Sequence, residues 1–112
     1  MNLSHHPTEI ALALLHRSVC HVQVAACIVD SYGVFAWSTN HMGFDGLGQH
    51  AEAEVVRKAN KRRLAGAKMY VVAARRKNGK VVTAKPCFRC QRLIEKYGID
   101  VTYRNAYGRW VW

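Results

Sequence analysis

Two residues separate Cys87 from Cys90, and one residue separates His50 from Glu52. Thiolate and imidazole are the donors zinc prefers; a catalytic zinc takes three protein ligands and leaves the fourth tetrahedral position to water. Cys87, Cys90 and His50 make three. The two cysteines stand one helical turn apart at a helix start, so both sulfurs face the same side and the positive end of the dipole favours their thiolate forms. Glu52 is rotated by roughly 200° from His50 along a regular helix, close to the metal but free to move protons. Water on zinc has a pKa near about 7 instead of about 16, and a carboxylate beside it can take that proton and pass it to a substrate.

Each motif alone has a plainer reading. His-x-Glu can be a helix cap followed by a surface acid, and Cys-x-x-Cys can be half of a structural zinc site or a redox pair. A four-cysteine site would need a second close pair, whereas Cys20 and Cys27 are separated by six residues in or beside an apolar run and read as ordinary buried thiols. A redox pair belongs straight after a first strand in a βαβ unit, and it gives Glu52 nothing to do. The two motifs together favour the catalytic reading.

The elements that must position these residues follow from local pattern. Thr8 to Arg17 is apolar almost all round, a helix packed on a sheet. Val22 to Val29 and Val34 to Ser38 form a hairpin about Asp30-Ser31-Tyr32-Gly33. Asn40 to Gly48, with three glycines, is a loop leading to His50. Ala51 to Leu64 is a helix with acids in its first turn and bases in its last, stopped by Gly66. Lys68 to Ala74 is a central strand, and Arg75 to Ala84 a second hairpin about Asn78-Gly79. Cys87 to Tyr97 is a helix preceded by Pro86 and closed by Gly98. Ile99 to Arg104 and Arg109 to Trp112 are last strands, joined by a tight connection. This order describes an α/β fold with a mixed sheet of about five strands, helices on both faces, parallel crossovers in the middle and antiparallel ends.

The chain of 112 residues is half apolar and has no linker, repeat or low-complexity tract, so residues 1–112 read as a single domain with only residues 1–7 loose. It carries no signal-peptide pattern and no uncharged run near the roughly 18 residues that would span a bilayer. A cytoplasmic location with no membrane association is the expectation. The net charge of +10, from 17 Lys and Arg against 7 Asp and Glu, favours anionic or phosphorylated partners.

At His50-Ala51-Glu52 with Pro86-Cys87-Phe88-Arg89-Cys90, the chain resembles the cytidine deaminase superfamily, whose signature is His-x-Glu followed by Pro-Cys-x-x-Cys. The likeness runs over about residues 20 to 112. It implies a three-layer α/β/α fold with an antiparallel last strand pair. It also implies His50, Cys87 and Cys90 as Zn2+ ligands, Glu52 as general acid/base, and hydrolysis of the amine-bearing carbon of cytosine with release of ammonia. Asn40 matches a position where many members use an Asn on the sugar; Ala51, Phe88 and Arg89 are further candidates for substrate contact. Small relatives often build pockets across subunits, so a homo-oligomer is compatible with the resemblance. Two departures stand out. The segment from Ala74 to Lys85 is longer than in members whose central strand runs directly into Pro-Cys. No helix fits between the last two strands, unlike in the polynucleotide- and tRNA-editing branches; free-nucleoside enzymes and several toxin deaminases share this antiparallel pair.

The substrate reading is a nucleoside or nucleotide, with Arg75, Arg76, Lys85, Arg89 and Arg92 available for a phosphate. The alternative is single-stranded DNA or RNA, stacked on Phe44, Phe88, Tyr103, Tyr107, Trp110 or Trp112; for those aromatics, sheet packing is the competing reading, and adenine competes with cytosine as the base. A different class of protein, a basic nucleic-acid-binding domain with a structural zinc, would make no use of Glu52.

Overall fold

The computed structural model of the protein describes residues 6–42 and 48–111. Phe44, Trp112 and most of the N-terminal segment read as loose lie outside them. Helix α1 (Pro7–Leu14) begins with proline at its first turn and with the His6 ring accepting from the Thr8 amide at 3.2 Å. It tightens into a 3-10 turn over Leu15–Arg17. Strands β1 (Val22–Asp30) and β2 (Gly33–Thr39) form the expected hairpin, with Gly33 at φ 113° where a side chain would be strained.

The segment expected as a loop after Asn40 contains a short antiparallel ribbon, β3 (His41–Met42) against β4 (Gly48–Gln49). Helix α2 (Ala51–Lys58) is shorter than its composition suggests. It ends at Ala59, where the backbone turns extended, and Asn60 caps a separate 3-10 turn over Lys61–Arg63 by accepting from the Arg62 amide. The Lys61 ammonium donates to the carbonyls of Arg57 and Ala59, both at 2.9 Å, satisfying acceptors that a helix end leaves open. Good helix formers therefore do not continue the helix, because local capping outcompetes propensity.

Strand β5 (Lys68–Arg75) pairs antiparallel with β1; because β2 is antiparallel to β1 as well, β2 and β5 run the same way, and the crossover between them through α2 is parallel as expected, with β1 inserted between the two strands. Among the described residues the single parallel pair is β5 with β6 (Asp100–Arg104), linked through α3 (Phe88–Lys96), and β7 (Trp110–Val111) closes the edge antiparallel to β6. The order β2-β1-β5-β6-β7 makes a mixed five-stranded sheet. After β5 the chain reverses at Gly79 as expected, but the returning arm makes only the bridge Ala74–Val81; Ala84 then bonds to the Arg104 carbonyl at 2.9 Å instead. That shift carries Cys87 across from β5 toward β6.

Both sheet faces are covered, which explains the nearly continuous apolar runs of β1 and β5. On one face α1 packs over Ala25, Cys27 and Val72. On the other, α2 and α3 enclose Ala26, Ile28, Met69, Val71, Val55 and Ile94. The result is the three-layer α/β/α arrangement, with both site-bearing helices on the same layer.

Candidate metal centre and active-site cleft

His50 is the residue immediately before α2, and Cys87 the residue immediately before α3; neither side chain caps its own helix. Both are thus free to turn outward. Cys90 lies in the first turn of α3, one turn from Cys87, and is buried. Packing α2 beside α3 brings the two helix starts together: His50 Nδ1 is 3.4 Å from Cys90 Sγ and 3.5 Å from Cys87 Sγ. All three donor atoms fall within 4.8 Å of one another.

These spacings are those of a tetrahedral zinc site. With Zn–S about 2.3 Å and Zn–N about 2.0–2.1 Å, an N and an S on one metal stand roughly 3.5 Å apart. Among the described residues this is the one group of three such donors that converges.

Its place in the first turn of α3 does not by itself ionise the Cys90 thiol. Burial, then the charge of Glu52, push the Cys90 thiol up to about 12, while the Ala53 amide at the start of α2 pulls the other way. Desolvation outweighs that amide. A bound dication reverses the balance, since a coordinating thiol gives up its proton outright.

Glu52 is 6% exposed, one of three buried polar side chains among the described residues, with Ser18 and Ser38. Burial raises its carboxyl above the ordinary range; its own backbone N–H and the charge of His50 oppose that. The carboxyl opens on a cleft of about 230 Å³ lined by Val24, Asn40, His50, Ala51, Glu52, Thr83, Ala84, Lys85 and Cys87. A buried carboxyl, three convergent metal donors and a small cleft at one place can hold a metal and move a proton beside it.

Asn40 and Ala51 line this cleft, but Phe88 and Arg89 do not; Phe88 is 75% exposed on the outside of α3. Of the five basic residues considered for phosphate, only Lys85 reaches the lining. The Arg76 guanidinium donates to the Val19 carbonyl, and that of Arg92 lies over the Phe88 ring. Tyr103 packs on the α2/α3 core and Trp110 meets Tyr70 edge-on, so both serve the fold. Thr83 and Ala84 were not legible as lining residues, because the returning arm after Gly79 reads as a strand; Val24 was not, because an apolar strand covered on both faces does not show in its sequence which residue meets a cleft. A larger hollow of about 730 Å³, between α1 and the starts of β5 and β6, brings together no such donor group among the described residues.

The family model for the cytidine and deoxycytidylate deaminase zinc-binding region matches residues 2–104. The chain belongs to this family. Among solved structures it is similar to cytidine deaminase from Burkholderia pseudomallei, with TM-score 0.74 at 20% identity over 97% of this chain and 91% of that one. It is also similar to dCMP deaminase from the cyanophage S-TIM5, with TM-score 0.66 at 19% identity over 88% and 79%. Cytidine deaminase from Mycobacterium leprae gives TM-score 0.64 at 20% identity over 90% and 86%. No curated protein matches the chain by sequence. At these identities the structural likeness carries the fold. Among the described residues no helix is long and apolar enough to cross a membrane.

Proposed function

We propose that the chain is a zinc-dependent hydrolytic deaminase converting cytosine to uracil in a nucleoside or nucleotide. The observation that carries this is the convergence of His50 Nδ1, Cys87 Sγ and Cys90 Sγ beside the buried carboxyl of Glu52. When bound at these donors, zinc supplies a Lewis acid that makes water nucleophilic at neutral pH.

The chain's own residues do the remainder. The Glu52 carboxylate takes one proton as water oxygen adds to the amine-bearing carbon, and gives it to the adjacent ring nitrogen. It then moves a second proton to the amine, which leaves as ammonia while the oxygen remains as the carbonyl of uracil. Burial suits this role, because a raised carboxyl pKa brings proton uptake and release closer to balance near neutral pH. Ala51 offers a flat, buried wall for the ring, Asn40 faces the sugar, and Lys85 supplies a cation for a phosphate. Four free cysteines suit a reducing cytoplasm.

A second reading, cytosine in single-stranded nucleic acid, is favoured by the exposed Phe88 ring with Arg92 beside it and by the net charge of +10. In that case Phe88 and Arg89 serve the flanking nucleotides. The test is ammonia release or mass shift by the zinc-loaded protein on cytosine, cytidine, deoxycytidine, their monophosphates, adenosine and single-stranded oligonucleotides. Glu52→Ala is expected to keep zinc and fold but lose at least the 10²- to 10⁴-fold typical of acid–base catalysis. Retained turnover in that variant overturns the mechanism.

A further inference from the structure

Ser18 is 2% exposed, lies between the 3-10 turn that follows α1 and the start of β1, and is not itself among the residues lining the cleft. Its hydroxyl donates to Asn40 Oδ1 at 2.6 Å, with the Asn40 carbonyl oxygen at 3.2 Å, and it accepts from the Cys20 amide at 3.2 Å. Asn40 Oδ1 also accepts from the Val24 amide at 2.9 Å. A side-chain amide oxygen has two lone pairs, and these two donors use both. On the other side of the group, Asn40 Nδ2 donates to the Val22 carbonyl at 2.8 Å. Val24 N–H can only donate and Val22 C=O can only accept, so the amide has one orientation in which both are satisfied.

One hydrogen-bonding function of Asn40 therefore remains for the cleft it lines: the second N–H of Nδ2. The residue can offer a ligand a donor and no side-chain acceptor. We propose that Ser18 is a positioning residue for substrate binding, locking the Asn40 amide so that its free Nδ2–H meets an acceptor oxygen on the substrate's sugar. This rests on the deaminase reading of the cleft. The arrangement also explains why a hydroxyl is buried at Ser18, where an apolar side chain would leave Oδ1 with one donor and a freer torsion. Lost positioning costs about one ordinary hydrogen bond, and it acts in binding, before any proton moves.

The test measures kcat, KM and zinc content for cytidine in wild type, Ser18→Ala, Asn40→Ala and the double variant. Ser18→Ala is expected to raise KM by roughly two- to tenfold with kcat and zinc content little changed. In the Asn40→Ala background the same change should have almost no further effect, the non-additivity of two residues acting as one. Ser18→Cys, which fills the same space with a weak donor, should raise KM without loss of thermal stability and covers the case in which Ser18→Ala folds poorly. An unchanged KM in both Ser18 variants, or a full Ser18→Ala penalty in the Asn40→Ala background, overturns the inference while leaving the deaminase reading intact. A wild-type protein that releases no ammonia from any pyrimidine nucleoside or nucleotide sinks that reading, and this inference with it.

Discussion

His50 Nδ1 and Cys90 Sγ stand 3.4 Å apart although forty positions separate them in the chain. Their meeting depends on the packing of α2 beside α3, and a metal held between them ties the two helices together. Zinc at 100 times its dissociation constant stabilises the folded state by about 2.7 kcal/mol. For a domain of this size that raises Tm on the order of 10 °C. Cys90→Ser is expected to abolish both stoichiometric zinc, measured by elemental analysis, and the zinc-dependent rise in Tm, measured by calorimetry. A full zinc complement in that variant would exclude Cys90 as a ligand.

Lys85 is the one lysine or arginine among the described residues lining the cleft. If it meets a phosphate, Lys85→Ala should raise KM for cytidine or deoxycytidine monophosphate by about tenfold, equivalent to about 1.4 kcal/mol. KM for the unphosphorylated nucleosides should not move. Parallel steady-state assays on both substrate forms decide it, and equal effects on the two would remove the phosphate contact.

Ile94 is fully buried on the inner face of α3, packed with the core that α2 shares. Ile94→Ala leaves a cavity there and is expected to cost roughly 2–5 kcal/mol in urea unfolding. Because α3 carries Cys90 and begins straight after Cys87, added zinc should recover part of the loss.

Asp30, in the β1–β2 hairpin, receives Arg63 Nε at 2.7 Å and Nη2 at 2.8 Å. That fork holds its carboxyl below the ordinary range, against a smaller opposing effect of burial. A depressed folded-state pKa stabilises above the unfolded value of about 3.9 and is lost as pH falls through the folded value. Wild type should therefore be more stable than Asp30→Asn at pH 7, with the difference shrinking on acidification through and below the ordinary Asp range. Denaturant titrations of both proteins across that range check the sign.

What was readable in the chain was local. Cys87 and Cys90 fall on one side of a helix start because two intervening residues make one turn, and Pro86 and Gly98 bracket that helix wherever it is placed. The hairpin at Gly33, the strands from Val22 and Lys68, and the short link between β6 and β7 also follow from neighbouring side chains. The end of α2 was not readable, since Asn60 and Lys61 stop at Lys58 a helix that composition would carry to Leu64.

The sequence by itself determined the candidate donor set and the candidate proton carrier: two thiols one turn apart, an imidazole ahead of a helix and a carboxyl two residues on. Only the tertiary structure decided that these meet. Antiparallel pairing of β1 with β5, the shift of Ala84 onto β6 and the placing of α2 and α3 on one face bring His50 to the cysteines and bury Glu52. The same packing turns Asn40 into a donor by filling its oxygen from Ser18 and Val24. Spacing along a chain sets which side chains share a helix face, whereas distances across a sheet arise from pairing and burial that no local window contains.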